Sequence, residues 1–228
     1  MTFRGGFAIT GAVVDALNFV KQFLAIQINS PSDNPCIMQD KEDLFVCSNF
    51  ETPSLALGVE MLAIALGHLS RAINFRVFHL GDPEFTPLPR FLAPRSGNAH
   101  GFPETQHTIS AIDAENRSLI NPSSVEFHPM QGTIEDHASN LRLAVSKCRQ
   151  LVDNLRYMVG IEAMHAAQAV DLREGGYVRL GRGTQIAYDA IRSVVPELVD
   201  NRSIYDDIQQ LYALIRSEKL VELVEREL

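Results

Sequence analysis

From Glu135 to about Leu172 the chain carries no proline, its one interior glycine is Gly160, and its pattern is helical. At 1.5 Å per residue such an element would span roughly 50 Å or more. A helix of that length buries its apolar stripe only against others of comparable reach, and the sequence supplies them. Thr52 as N-cap and Pro53 at the first helical position open a second run that should continue to about His79. Gly11 to Ile28 places Val14, Leu17, Val20, Phe23 and Leu24 at helical spacing, and Pro103 can start a further helix reaching about Leu119. The expected fold class is therefore all-α, an elongated bundle of long helices. Apolar stripes left exposed on such a bundle require partner chains, so oligomerisation is expected.

The interruptions are equally legible. Asn29-Ser30-Pro31-Ser32-Asp33-Asn34-Pro35 stops the first helix with turn formers. Cys36 to Met38 and Leu44 to Cys47, flanking a charged loop, fit one small β-hairpin. Gly81 to Gly101 holds four prolines and is too broken for regular structure. Asn121-Pro122-Ser123-Ser124 ends the helix begun at Pro103. Beyond Arg173, Gly175-Gly176 and Gly181-Arg182-Gly183 frame a loop, with shorter helices at about Gln185 to Val194 and Ile204 to Ser217 and an amphipathic stretch over Lys219 to Glu227. The expected organisation is a single helical domain, 1–228, in which 1–172 forms the long-helix core and 173–228 the shorter C-terminal helices.

Composition excludes several functions. With 46% apolar and 21% charged residues the chain can bury a substantial core. A net charge of -8 leaves no basic stripe for phosphates, which argues against nucleic acid and against an anionic membrane surface. Cys36, Cys47 and Cys148 lack CxxC spacing in a chain too large to need disulfide staples, so no zinc cluster and a cytoplasmic location are expected. The most apolar window, Ser54 to Ile73, carries Glu60, His68 and Arg71 and reads as a buried helix. Asp15 and Lys21 likewise interrupt the apolar run after Arg4, which reads as the first helix and not a signal peptide.

Chemistry-bearing residues concentrate at Gly132-Thr133-Ile134-Glu135-Asp136-His137. Adjacent carboxylates and imidazole on a rigid element suit acid-base work, but Thr133 three residues before Asp136 also reads as a capping box at a helix start. Glu104-x-x-His107 and Glu162-x-x-His165 have the spacing of di-metal bundles, with Glu60 and Glu135 to complete the set. Against this, Glu135 and Glu162 on one uninterrupted helix would lie roughly 40 Å apart, too far to share a metal pair. Arg95-Ser96-Gly97-Asn98 and His100 follow no GxSxG elbow, and the paired glycines after Arg173 follow no strand, so hydrolase and phosphate-cradle readings have little support.

The order of motifs resembles a known family. Asn29 to Pro35, Ser48-Asn49-Phe50, Leu88-Pro89-Arg90-Phe91-Leu92, Ala114-Glu115-Asn116-Arg117, Pro122-Ser123-Ser124-Val125-Glu126, Glu135-Asp136-His137 and Ala166-Ala167-Gln168-Ala169-Val170-Asp171-Leu172-Arg173 are similar, in order and spacing, to the signatures of the aromatic amino acid ammonia-lyases. The likeness is greatest to the histidine enzymes and matches the C-terminal half of that fold, within the fumarase/ammonia-lyase superfamily. It implies non-oxidative deamination of histidine or another aromatic amino acid, in α-helical tetramers with shared sites.

The resemblance also says what to look for. The family's electrophile is a methylidene-imidazolone made from an internal Ala-Ser-Gly, and this sequence contains no Ala-Ser-Gly. No cofactor is therefore expected in this chain, and the group is expected only in a partner carrying the N-terminal half. Met1-Thr2-Phe3-Arg4 matches a segment in which the family keeps a tyrosine at the position of Met1. Arg4 matches the arginine that pairs with the substrate α-carboxylate, a role suited to its forked donors. Asn49 and Phe50 match the Asn-Phe beside the electrophile, in a segment one residue shorter than the family pattern. Glu135 matches the glutamate facing the substrate side chain in the histidine enzymes, where a carboxylate accepts a hydrogen bond from imidazole. Ile134 replaces the glutamine that precedes it. These features imply a subunit that completes a lyase site with an N-terminal-half chain and is inactive alone, or a non-catalytic structural or regulatory homologue, with a di-metal bundle as the remaining reading.

Overall fold

A computed structural model describes residues 2–173 and 179–227. The described elements are α1 (Gly6–Ile28), β1 (Cys36–Met38), β2 (Asp43–Phe45), α2 (Pro53–Leu80), α3 (Pro103–Leu119), α4 (Leu141–Asp171), α5 (Arg182–Arg192), α6 (Tyr205–Arg216) and α7 (Lys219–Glu225). The fold is all-α with one antiparallel hairpin, in which Cys36 pairs with Phe45, Ile37 with Leu44 and Met38 with Asp43. Helix and hairpin boundaries fall within a few residues of those expected, except at three places.

The first concerns the run from Glu135. Helix α4 starts at Leu141, so Gly132 to His137 lies in the loop ahead of it and the capping box of Thr133 and Asp136 does not form. The backbone is already satisfied in another way. Met130 N–H donates to the Glu135 carbonyl at 2.8 Å, Glu135 N–H returns a bond at 3.3 Å, and Thr133 takes a left-handed φ of 72° that no helix start permits. Glu135 and Glu162 therefore do not share a helix. The second is α1, which begins at Gly6, ahead of Gly11. The third is the loop expected around Gly181-Arg182-Gly183: Gly181 is the residue preceding α5 and Gly183 lies inside it, while Gly175-Gly176 lie outside the described residues.

The chain divides into two compact units. One comprises Met1–Arg4, Ser70–Glu115 and Asp153–Leu228. Its core packs Phe102, Leu92, Met164, Leu198 and Leu211 among others. Gly160 is explained here, because a Cβ at that position would stand 3.2 Å from Leu211 Cβ where α4 meets α6. Polar groups fix the register of the same interior. Gln168, fully buried, donates to the Leu198 carbonyl and accepts from Leu198 N–H, both at 3.1 Å, which staples the segment after α5 to α4. Asp113, also buried, accepts from Ser70 Oγ at 2.8 Å and Asn74 Nδ2 at 3.3 Å, with the Arg71 guanidinium at 3.7 Å. Such groups are costly to bury without partners, so each fixes one arrangement of its neighbours.

The other unit comprises Gly5–Leu69 and Asn116–Val152. Gly58 lets α2 approach α1, since a Cβ there would meet the Phe19 ring at 3.0 Å. Ala16 is nevertheless the one buried residue of α1, and Phe7 and Val14 stand exposed. By length and composition both α1 and α2 could cross a membrane, but 56% of the α2 window is buried against 6% for α1. More than half of the apolar α2 window is buried, in keeping with the buried helix that Glu60, His68 and Arg71 led the sequence to suggest.

His165, in the first unit, yields a prediction. Its Nε2 lies 2.7 Å from Thr105 Oγ1, whose hydroxyl donates to the Phe102 carbonyl, so Nε2 carries the proton and donates. Burial lowers its pKa from 6.5 to about 3, so the folded state binds fewer protons than the unfolded state between those values. Stability from this group is thus complete above 6.5 and is lost as pH falls towards 3. Denaturant titrations across that window should show a shallower pH slope in His165→Phe than in the parent between 6.5 and the carboxylate range.

Candidate functional site

The site is built on two loops of the second unit. The first joins the hairpin to α2 and carries Asn49 and Phe50; the second joins α3 to α4 and carries Glu135. Irregular loops of this length hold a shape only if their backbone groups find fixed partners. For the second loop that partner is Glu60 of α2. Its buried carboxylate accepts the backbone N–H of Ser123 at 2.5 Å, that of Ser124 at 2.8 Å and the Ser124 hydroxyl at 2.7 Å. Burial alone would raise the Glu60 pKa, but the serine hydrogen bonds outweigh it and the net shift is downward. At the other end Asn140 donates to the carbonyls of Ser123 and Glu126 at 3.1 and 2.6 Å, and Lys147 Nζ donates to that of Asn121. Between these anchors the chain turns through Gly132, whose φ of 64° suits glycine, and presents Ile134 and Glu135 to solvent.

The first loop is held from α1 and from the turn before the hairpin. Gln27 Nε2 donates to the Asn49 carbonyl at 3.1 Å, and Cys47 N–H donates to Asn34 Oδ1 at 3.2 Å. Two contacts then tie the loops to each other. His137 Nδ1 lies 3.2 Å from Glu51 Oε2, and Thr52 Oγ1 lies 3.0 Å from Ser139 Oγ. These pairs bring the segment of Asn49 and Phe50 beside that of Glu135. Phe50 is half exposed, and Asn49 lines a cavity of about 990 Å³ bounded by residues 30–41 and the end of the hairpin. The exposed side chains of the two loops include the Glu135 carboxylate, the Asn49 amide and the Phe50 ring.

Arg4 belongs to the first unit, where it is exposed and follows Phe3, whose ring stacks on Phe85 at 5.6 Å and lies 6.4 Å from that of His79. Three of the acidic and histidine positions of the di-metal reading have other work. Glu162 takes both nitrogens of an Arg76 fork, His165 bonds Thr105, and Glu60 bonds the serines. Among the described residues no group of three or more His, Cys, Asp or Glu could hold a metal ion. Sequence reasoning placed Thr52 at a cap and missed its side-chain bond to Ser139, and it missed Glu51 as the partner of His137. Neither contact has a local signal, since each joins residues more than eighty positions apart.

The model of the aromatic amino acid lyase family matches residues 1–193. The chain belongs to that family. It is 39% identical to a histidine ammonia-lyase of Alkaliphilus oremlandii over 218 residues, which are 96% of this chain and 43% of that enzyme. Among solved structures it resembles an ergothioneine-degrading enzyme, ergothionase, from Treponema denticola, crystallised with desmethyl-ergothioneine sulfonic acid (49% identity, TM-score 0.91, 96% of this chain and 44% of that one). It also resembles histidine ammonia-lyase from Trypanosoma cruzi (26% identity, TM-score 0.92, 100% of this chain and 44% of that one). The chain spans less than half the length of these relatives, and the aromatic amino acid lyase electrophile, a methylidene-imidazolone formed from Ala-Ser-Gly, has no source sequence within it.

The Glu60 anchor can be tested directly. Glu60→Gln keeps the volume but removes the charge that accepts two backbone N–H groups, and should lower unfolding free energy by about 2 kcal/mol. Hydrogen exchange should quicken through 121–140 while the Gln168 staple stays protected. Because the Glu60 pKa is lowered, the stability it adds is present above the ordinary carboxylate value of 4.5 and lost as pH falls below it, so parent and variant should converge in acid.

Proposed function

We propose that this chain supplies the substrate-binding C-terminal half of a site that eliminates an amine from an imidazole-bearing amino acid, and that an Ala-Ser-Gly half in a partner chain completes it. The observation that supports the reading is the pair of contacts Glu51–His137 and Thr52–Ser139, which ties the segment carrying Asn49 and Phe50 to the segment carrying Glu135. In this role Glu135 accepts a hydrogen bond from the substrate imidazole, Phe50 packs against the substrate, and Arg4 pairs with the α-carboxylate. Asn49 lies beside the reacting centre. The methylidene-imidazolone, when the partner supplies it, provides the electrophile that turns the amine into a leaving group. Holding the imidazole through Glu135 restricts its orientation, and positioning of that kind lowers a barrier. The exposed apolar face of α1 supports assembly into a homo- or hetero-oligomer with a tetrameric core.

Two observations shape the substrate. The relative at 49% identity is a structure described as degrading ergothioneine, a betaine of histidine bearing sulfur on the imidazole, whereas the histidine ammonia-lyases named above are 39% and 26% identical. Ile134, 85% exposed, puts an apolar side chain next to Glu135. A polarizable sulfur tolerates that neighbour better than a second polar ring edge does, which favours a thiolated imidazole over histidine itself. The same Ile134, with the shortened segment at Asn49, supports the opposing reading of a non-catalytic homologue.

The test is reconstitution. The chain co-expressed with an Ala-Ser-Gly half should release ammonia from histidine or trimethylamine from ergothioneine, with the unsaturated imidazole acid followed by its ultraviolet absorbance; the chain alone should release neither. Glu135→Gln should lower kcat/KM by roughly tenfold to a hundredfold, the loss of a charge-assisted hydrogen bond. A stable complex that turns over neither compound nor any aromatic amino acid would refute the catalytic reading and leave the structural one.

A further inference from the structure

Cys36 ends the turn that opens the hairpin, and Cys47 follows β2 on the opposite strand. Their sulfurs lie 3.3 Å apart, and both point at one acceptor, the Asp33 carbonyl, at 3.0 Å from Cys36 and 3.3 Å from Cys47. A covalent bond between them needs a further approach of roughly 1.3 Å. The backbone is held at both residues, because Cys36 pairs with Phe45 in the ladder and Cys47 N–H donates to Asn34 Oδ1. Cys36 is buried and Cys47 is half-buried, so an external reagent reaches Cys47 first. The remaining cysteine, Cys148, is buried in α4.

We propose that Cys36 and Cys47 form a reversible disulfide that closes the base of the hairpin beside the substrate loop. The oxidant is a low-molecular-weight disulfide. Cys47, as thiolate, attacks one sulfur of that reagent and expels the first small thiol; Cys36, as thiolate, then attacks the Cys47 sulfur of the mixed disulfide and expels the second. The two protons leave on the two released thiols, the protein pair loses two electrons, and the reagent gains them. Neighbouring Cys47 raises the Cys36 pKa, chiefly through the hydrogen bond between them, which keeps Cys36 protonated until the mixed disulfide removes that bond. The new bond would lock Pro35-Cys36 to Cys47-Ser48 two residues before Asn49, fixing one wall of the cavity that Asn49 lines. The oxidation state of the pair thereby sets the mobility of the Asn49 segment.

Lys41 lies between the two cysteines, so trypsin separates residues 22–41 from 42–71 and only a disulfide keeps them together. The full chain, equilibrated under native conditions with oxidised glutathione, quenched with an alkylating agent and digested without reductant, should give these two peptides as one linked species that dithiothreitol separates. Cys148 should stay alkylated. Cys36→Ser should instead accumulate glutathione on Cys47, and hydrogen exchange over 43–49 should slow on oxidation of the parent. The proposal is overturned if the folded parent retains glutathione on Cys47 without the 22–41 to 42–71 link, or if both thiols remain fully alkylated after equilibration, or if the link forms and exchange over 43–49 is unchanged.

Discussion

The arrangement of the candidate site depends on one buried carboxylate. Glu60 sits on the second long helix, where an unpaired charge would be strongly destabilising, and its oxygens are satisfied by the backbone and hydroxyls of Ser123 and Ser124. The interaction works in both directions. The serine segment gives the carboxylate the donors that keep it ionised, and the carboxylate gives an otherwise irregular loop a fixed starting point on a rigid element. Asn140 closes the same loop from its far end through two carbonyls. With both ends held, the intervening residues form a loop of defined shape with Glu135 near its tip.

Much of this architecture was legible from local chemistry, and the rest was not for a specific reason. Pro53, Pro103 and the Asn-Pro-Ser cluster after α1 punctuate the chain through backbone geometry that neighbours cannot override, so the long helices and the hairpin could be placed closely. The start of α4 was misplaced because Thr133, Glu135 and Asp136 are good first-turn residues, and the local pattern could not reveal that the Glu135 backbone is taken by Met130. The same limit applies to the site. The order of motifs singled out Asn49, Phe50 and Glu135, but the pairs that join their loops, Glu51 with His137 and Thr52 with Ser139, are products of the tertiary fold. Glu60 entered the sequence reading only as a possible member of a di-metal set that helix spacing already disfavoured, because the serine backbone that employs its carboxylate is brought beside it by the tertiary fold.

Polar groups in the other unit do a comparable job for the scaffold. Gln168 fixes the segment after α5, Asp113 gathers Ser70 and Asn74, and Arg76 engages Glu162 with a two-point fork. Apolar contacts alone would permit long helices to slide by a turn with little loss, because one row of Leu, Ile and Ala resembles the next. A buried polar group tolerates no such slip, since moving it strands donors and acceptors away from water. Gly160, which brings α4 against Leu211, adds a steric reference to the polar ones.

A division of labour is visible within the loop itself. The groups that fix the loops are mostly buried or half-buried, whereas Ile134 and Glu135 at the tip are exposed within this chain and bear little of the packing. A change at the tip therefore alters the exposed surface while leaving Glu60, Ser123, Ser124 and Asn140 in place. The backbone itself tolerates wide sequence change, since solved structures 49% and 26% identical to this chain superpose on it with TM-scores of 0.91 and 0.92. Ile134, 85% exposed, bears little of the packing, so its replacement costs the fold little.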